Sequence, residues 1–177
     1  MIPYTLRDNG CALLQQHFSQ QEKHRNSTVA HTFLMESGQW TLEGSWIERN
    51  GVPITVKGKT LVSWNRTDWF SMVTKLVFPG GDREELILQY RGHLNSDERQ
   101  YTFVLQHSEL GRVEGEGWIA PQSIVQRYWV LGDERQRRTG FDTLHRVDSN
   151  RYYHSSGIMS GHYLTSTMEA TLERQSE

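Results

Sequence analysis

The sequence from residue 38 to residue 64, GQWTLEGSWIERNGVPITVKGKTLVSW, decides the fold class of this chain. Apolar and polar residues alternate from Trp40 to Trp46 and again from Ile54 to Trp64, which is the period of two that a half-buried strand requires. Asn50 and Gly51 lie between these segments, and Asn-Gly is favoured in two-residue hairpin turns because both residues there adopt a positive φ. The stretch therefore predicts two antiparallel strands that form a hairpin.

The same alternation continues through the rest of the chain. Turn residues separate the apolar segments, as at Pro79, Gly80 and Gly81, and further strands are predicted near residues 69–78, 86–90, 101–105, 111–120, 123–131, 136–147, 151–159 and 162–174. About ten short strands with tight connections predict an all-β antiparallel meander, and closure into an up-and-down barrel removes its two edges. A β-sandwich is the alternative, although it usually needs longer crossover loops.

Several glycines lie inside the predicted strands rather than in turns. We interpret them as positions where the strands of a barrel bend sharply. They are Gly44, Gly58, Gly115, Gly117, Gly140 and Gly157.

The first part of the chain differs in character from the rest. Cys11, Leu14 and Phe18 recur at helical spacing, which predicts one short amphipathic helix within residues 9–22. The polar stretch from Glu22 to Ser27 is typical of a linker. We therefore expect a helical extension over residues 1–26 and a single β-barrel domain over residues 27–177.

Charge and cysteine content exclude several classes of function. The 177-residue chain has 19 Lys and Arg against 21 Asp and Glu, a net charge of −2, so electrostatic capture of nucleic acid or of an anionic membrane is not expected. Cys11 is the only cysteine, which excludes an intramolecular disulfide framework. The sequence shows neither a secretory leader nor a long apolar span, so we expect a cytoplasmic protein.

Two features of the predicted barrel resemble a known superfamily. Gly38-Gln39-Trp40 opens the first long strand, and Arg174 closes the last one. This resembles the lipocalin and fatty-acid-binding-protein (calycin) superfamily, in which a Gly-x-Trp on the first strand meets a basic residue from near the chain end. The resemblance implies a lipocalin-like barrel in which Gly38, Trp40 and Arg174 close the base, with the guanidinium stacked on the indole.

Two narrower resemblances concern tetrapyrrole proteins. Ser37-Gly38-Gln39-Trp40 is similar to the start of the barrel in lipocalin-like phycobiliprotein lyases of cyanobacteria. The stretch Thr167–Arg174 is similar to the last strand of nitrobindin-like haem barrels, where Thr167 takes the place of their axial histidine. These resemblances imply a tetrapyrrole as a cofactor or cargo, and none of the lyases' bilin-binding residues can be carried over to this chain.

Aromatic and polar side chains within the strands are candidates for a ligand site. In a barrel, some of the many aromatics must point inward and line a cavity. Arg127 shares an apolar strand face, where a guanidinium suits a carboxylate-bearing ligand, and His145 or His154 could bind a tetrapyrrole or transfer a proton. The candidate ligand-binding residues are Trp64, Trp69, Tyr90, Trp118, Arg127, Trp129, His145 and Tyr153.

The sequence contains no motif that identifies a catalytic or metal-binding residue. The eight histidines show no metal-ligand spacing. Asp142 and His145 fall on opposite sides of one strand, and the residues from Gly157 to Gly161 lack the strand-to-helix context of a nucleophile elbow. Catalytic residues therefore stay unassigned.

Three functions remain open from the sequence. The first is binding of a small, mostly apolar ligand, lipid-like or tetrapyrrole, inside the barrel. The second is a lyase-type protein that delivers a bilin to a partner protein. The third is a non-catalytic interaction module whose amino-terminal helix binds a protein partner, and a homodimer also remains open.

Overall fold

A computed structural model describes residues 31–65 and 68–176 of the chain. The predicted helix in residues 9–22, Cys11 and the expected domain boundary near residue 26 lie outside the described residues. The strands are β1 (Gly38–Glu48), β2 (Ile54–Trp64), β3 (Trp69–Val77), β4 (Leu86–Leu94), β5 (Gln100–His107), β6 (Gly111–Ile119), β7 (Ser123–Val130), β8 (Arg138–Arg146), β9 (Arg151–Ser160) and β10 (Tyr163–Arg174). No helix of the described residues is long and apolar enough to cross a bilayer.

The ten strands form one closed antiparallel barrel. Every strand pairs with its neighbours in sequence, and β1 pairs with β10 in a register that places Trp40 opposite Arg174. The predicted all-β up-and-down barrel is therefore confirmed. Closure leaves no strand edge unpaired in the sheet, which removes the hazard of edge-to-edge association.

The first hairpin forms where the sequence predicts it, but its connection is longer than two residues. β1 ends at Glu48 and β2 begins at Ile54, and Asn50 has φ 64° whereas Gly51 does not adopt a positive φ. Pro53 explains the difference, because proline has no N–H to donate to the ladder. Pairing therefore resumes only at Ile54, opposite Trp46.

Alternate residues of each strand point into the barrel and form its core. Along β7, for example, Ile124, Gln126 and Tyr128 are buried while Val125 and Arg127 between them are exposed. The same alternation in β3, β5 and β8 fills the lumen with aromatic and branched side chains. The period of two in the sequence thus becomes an inner and an outer face.

Glycines on the inner face make room for aromatic rings from the neighbouring strand. A Cβ atom at Gly117 would overlap the Tyr101 ring directly across the strand pair, and one at Gly140 would overlap the ring of Tyr128. The same arrangement joins Phe70 with Gly92 and Phe103 with Gly115. These glycines let the rings cross the adjacent strand instead of pointing to the barrel axis.

One end of the barrel, the base, is closed by Trp40 and by the segment that precedes β1. Trp40 is 1% exposed, and the ring of Phe33 packs edge-on against it at 5.3 Å. The Arg174 guanidinium lies over the Trp40 ring at 5.8 Å from its centroid and donates a 2.7 Å hydrogen bond to Glu36. Gly38 lies against this guanidinium, since a Cβ atom added at Gly38 would be 3.4 Å from Arg174 Nε.

A chain of hydrogen bonds holds the segment before β1 to the base. His31 Nε2 lies 2.7 Å from the carbonyl oxygen of Ala120, which makes Nε2 the protonated nitrogen. His31 Nδ1 then accepts from the Tyr152 hydroxyl at 3.2 Å, and the hydroxyl oxygen accepts from the backbone N–H of Thr32 at 3.1 Å. Every group in this series of hydrogen bonds is paired when His31 is neutral. Burial lowers the pKa of His31, which also favours the neutral ring.

Candidate functional site

Four polar side chains from four strands form a connected chain inside the apolar barrel. The Tyr101 hydroxyl donates to Gln126 Oε1 at 2.8 Å. Gln126 Nε2 donates to Asp142 Oδ2 at 2.5 Å, and His154 Nε2 lies 3.2 Å from Asp142 Oδ1. We call these four residues the lumenal polar chain.

Strand register explains why these side chains meet. Tyr101, Gly117, Gln126 and Asp142 are successive partners across β5, β6, β7 and β8. Gly117 has no side chain, so the Tyr101 ring passes over β6 and its hydroxyl reaches Gln126. A larger residue at position 117 would separate Tyr101 from the rest of the chain.

A carboxylate within this chain gives the lumen a negative centre. Asp142 is 6% exposed, and no Lys or Arg of the described residues lines the cavity around it. Burial raises the pKa of Tyr90 and of Tyr128, and the negative charge of Asp142 raises both further because a tyrosinate would be repelled by it. These tyrosines therefore stay neutral hydroxyls.

The cavity beside the lumenal polar chain is small. Its volume is about 70 Å³, which is room for several water molecules, since one needs about 10–15 Å³. Sites for drug-sized ligands have volumes of about 300–1,000 Å³. The lumen as folded therefore admits only a compact molecule.

One nitrogen in this site has no hydrogen-bond partner. His154 Nδ1 is buried and unpaired among the described residues, while its other ring nitrogen faces Asp142. A carboxylate beside Nε2 fixes the proton on that nitrogen in the neutral ring and leaves Nδ1 as an acceptor. No group of three His, Cys, Asp or Glu side chains in the described part of the chain could hold a metal ion.

Arg83 closes the end of the barrel opposite the base. It lies in the connection between β3 and β4, over the Trp46 ring at 4.6 Å, and forms ion pairs with Glu48 and Glu109. Beside it, His107 Nδ1 accepts from the backbone N–H of Glu109 at 3.1 Å. Burial lowers the pKa of His107 to about 4, so this histidine is neutral at pH 7.

Two of the eight predicted ligand residues point into the barrel. Tyr90 lines the cavity. Trp64 lies on the inner face near the base, where its indole nitrogen donates to the carbonyl oxygen of Leu34 at 2.6 Å, outside the cavity lining.

The other six predicted residues lie on the outer face of the barrel. Trp69, Trp118 and Trp129 are 37–39% exposed and Tyr153 is 56% exposed. Arg127 is exposed and forms an ion pair with Glu116. His145 is also exposed. Parity places them there, because each alternates with a buried residue of its own strand, so none of the six side chains reaches the lumen.

The sequence interpretation missed Tyr101, Gln126 and Asp142 as members of a site. The available signal was positional, since Gln126 lies on the same strand face as Ile124 and Tyr128, and Asp142 on the same face as Gly140 and Leu144. A polar residue on an otherwise apolar face requires a partner when buried. The contact between Gln126 and Asp142 depends on the pairing of β7 with β8.

The residues of the lumen do not fit a tetrapyrrole. A cavity of about 70 Å³ is too small for such a macrocycle or its open-chain form. Thr167, at the position of the axial histidine in nitrobindin-like barrels, alternates with the buried Ser166 and Met168 and so has the outer-face parity. The structure therefore supports no haem ligation at Thr167.

Comparison with solved structures identifies the fold. The M. tuberculosis protein Rv2717c superposes with a TM-score of 0.62 at 12% identity, covering 82% of this chain and 97% of that protein. The S-type phycobiliprotein lyase CPES from Guillardia theta superposes with a TM-score of 0.59 at 13% identity, covering 82% of this chain and 92% of the lyase. No protein-family profile and no curated protein sequence matches the chain. Together with the closed ten-strand barrel, these similarities show that the chain has a lipocalin-like barrel fold.

Proposed function

We propose that this protein binds a compact small molecule in the lumen of its barrel. The proposal is carried by two residues that line the cavity, His154 with its buried, unpaired Nδ1 and Asp142 with its buried carboxylate. Burying ionisable side chains such as those of the lumenal polar chain lowers the stability of the fold, and apolar residues of similar volume often stabilise a core better. A polar site of this kind is therefore better explained by a ligand than by the stability of the barrel.

The binding mechanism follows from the two parts of the cavity wall. Apolar side chains such as Met72, Leu88 and Met168 contribute burial of ligand surface, at about 25 cal/mol per Å². The lumenal polar chain fixes the orientation of a polar group, because its members are already held by one another. Pre-organisation of this kind lowers the entropic cost of binding.

A ligand-detected NMR screen with small fragments tests this proposal. Ser156 lines the cavity and its neighbour Ser155 lies on the outer face, so Ser156→Leu fills the site while Ser155→Leu is the matched control. We expect fragments that bind the unmodified protein and Ser155→Leu but not Ser156→Leu. Absence of any bound fragment, or binding that Ser156→Leu leaves unchanged, would refute a lumenal site.

A second candidate function is lyase-type delivery of a bilin to a partner protein. It is favoured by the structural similarity to the phycobiliprotein lyase, which extends over 92% of that protein. The lumen would have to open, and the connection that carries Arg83 is the segment that covers the end opposite the base. Mixing the protein with a bilin and an apo-phycobiliprotein, then measuring covalent absorbance and fluorescence, tests this candidate, and no adduct above background contradicts it.

A further inference from the structure

We propose that the lumenal site selects compact amines, which donate hydrogen bonds and carry positive charge, and rejects carboxylates. This inference rests on the proposed function, because it specifies the chemical class of ligand for the same cavity. It differs from the expectation drawn from sequence, in which Arg127 would bind a ligand carboxylate. The exposed Arg127 pairs with Glu116 on the outer face and does not reach the lumen.

The charges around the cavity set the preferred sign of the ligand. Of the described residues, Asp142 is the only acidic side chain that lines the cavity, and no Lys or Arg accompanies it. His107 and His154 are the remaining titratable nitrogens in the lining, and His107 is neutral at pH 7. A ligand carboxylate would therefore lie beside the buried Asp142 carboxylate with no ammonium or guanidinium group of the lining to pair with it, which is unfavourable.

Hydrogen-bond capacity points to the same class. The Asp142 carboxylate has about four lone-pair positions, and the structure fills two of them, with Gln126 Nε2 and His154 Nε2. In the neutral His154 ring, the unpaired Nδ1 adds a further acceptor. Each nearby tyrosine hydroxyl can donate or accept a hydrogen bond, so the tyrosines do not change the excess of acceptors over donors.

Cavity size limits the ligand to a few heavy atoms. An engineered apolar cavity of about 150 Å³ accepts benzene, and the volume here is about 70 Å³. Met72 and Met168 line the wall, and the flexible thioether side chain adapts to a ligand with little cost. A short alkyl amine therefore satisfies both the volume and the acceptors.

Three probes of equal length test the headgroup selection. They are n-butylamine, 1-butanol and butyrate, and their binding to the full chain is measured by ligand-detected NMR titration at neutral pH. We expect butylamine to bind about tenfold more tightly than butanol because its hydrogen bonds are charge-assisted. Butyrate should bind more weakly than butanol. A 15N shift of the His154 imidazole on adding butylamine would place the amine at Nδ1.

A matched pair of variants assigns the selection to the lumen. Asp142→Asn removes the buried charge, whereas Asp82→Asn makes the same change at an exposed loop position outside the cavity lining. We expect the preference of butylamine over butanol to vanish in Asp142→Asn and to persist in Asp82→Asn. If Asp142→Asn does not fold, the relative affinities of the three probes for the unmodified protein still show whether the lumen selects amines.

The outcomes separate this inference from the proposed function. Butyrate binding as tightly as butylamine overturns the amine selection and leaves lumenal binding intact. The amine selection is likewise overturned, and lumenal binding left intact, if none of the three probes binds while other fragments bind and lose their binding in Ser156→Leu. If no fragment binds at all, the cavity holds water only, and the proposed function fails together with this inference.

Discussion

Replacement of Tyr152 by phenylalanine removes one oxygen atom from the base of the barrel. That oxygen accepts from the Thr32 N–H and its proton is donated to His31 Nδ1, and Tyr152 is fully buried. The aromatic contacts with Phe33 and Trp40 are retained because the ring is unchanged. Two buried polar groups are left without a partner, and an unsatisfied buried donor costs about 1–3 kcal/mol.

We therefore expect Tyr152→Phe to lower the free energy of unfolding by about 2 kcal/mol in urea titrations with an unchanged m-value. Hydrogen exchange at the Thr32 amide should become faster. Tyr153→Phe is the control, since Tyr153 is its neighbour on the outer face and is 56% exposed, and it should change stability by no more than about 0.5 kcal/mol. Equal stability of the two variants, or unchanged exchange at Thr32, would refute the role assigned to this hydroxyl.

Three further predictions concern other parts of the barrel. The pKa of His107 is lowered from 6.5 to about 4, so the unfolded state binds more protons and the free energy of unfolding should fall by about 3 kcal/mol as the pH decreases from 6.5 to 4. His107→Asn keeps an acceptor and should reduce this slope, and an unchanged pH profile would contradict the assignment. Gly117→Ala should destabilise by about 1–3 kcal/mol through overlap with the Tyr101 ring, and strictly additive effects of Gly117→Ala and Tyr101→Leu in a double-mutant cycle would disprove that cause. Arg83→Ala should cost about 1–2 kcal/mol and speed amide exchange in the β3–β4 connection, while Arg135→Ala, at an exposed position, should leave the free energy of unfolding and the exchange rate unchanged. Equal effects of the two substitutions on these quantities would rule out the closing role of Arg83.

Local chemistry was sufficient to predict the strands. The alternation from Trp40 to Trp46 appears as the buried and exposed faces of β1. Turn residues end the strands because they favour conformations that a ladder does not use. The first hairpin was less predictable in detail, since Asn50 and Gly51 favoured a two-residue turn and Pro53 prevented pairing until Ile54.

Glycines in the strands carried a signal whose meaning depended on the neighbouring strand. The sequence predicts bends in the strands at Gly117 and Gly140. In the structure, a side chain at either position would overlap an aromatic ring from the adjacent strand. The sequence shows that these two positions lack a side chain. Only the strand register identifies which aromatic ring occupies the space next to each glycine.

The candidate site was the least predictable part of the protein. Aromatic residues occur on both faces of the strands, so abundance did not distinguish Tyr90 inside from Trp118 outside. Gln126 and Asp142 were less conspicuous than the tryptophans. They meet because β7 and β8 are paired in one register and because both positions have the inward parity.

The sequence by itself determined that this chain forms consecutive antiparallel strands, because strand periodicity and turn chemistry are local properties of neighbouring residues. Tertiary structure alone decided which face became the lumen and which polar atoms met inside it. The lumenal polar chain joins residues 25, 16 and 12 positions apart. Such contacts are fixed by barrel closure and strand register, which depend on every strand at once.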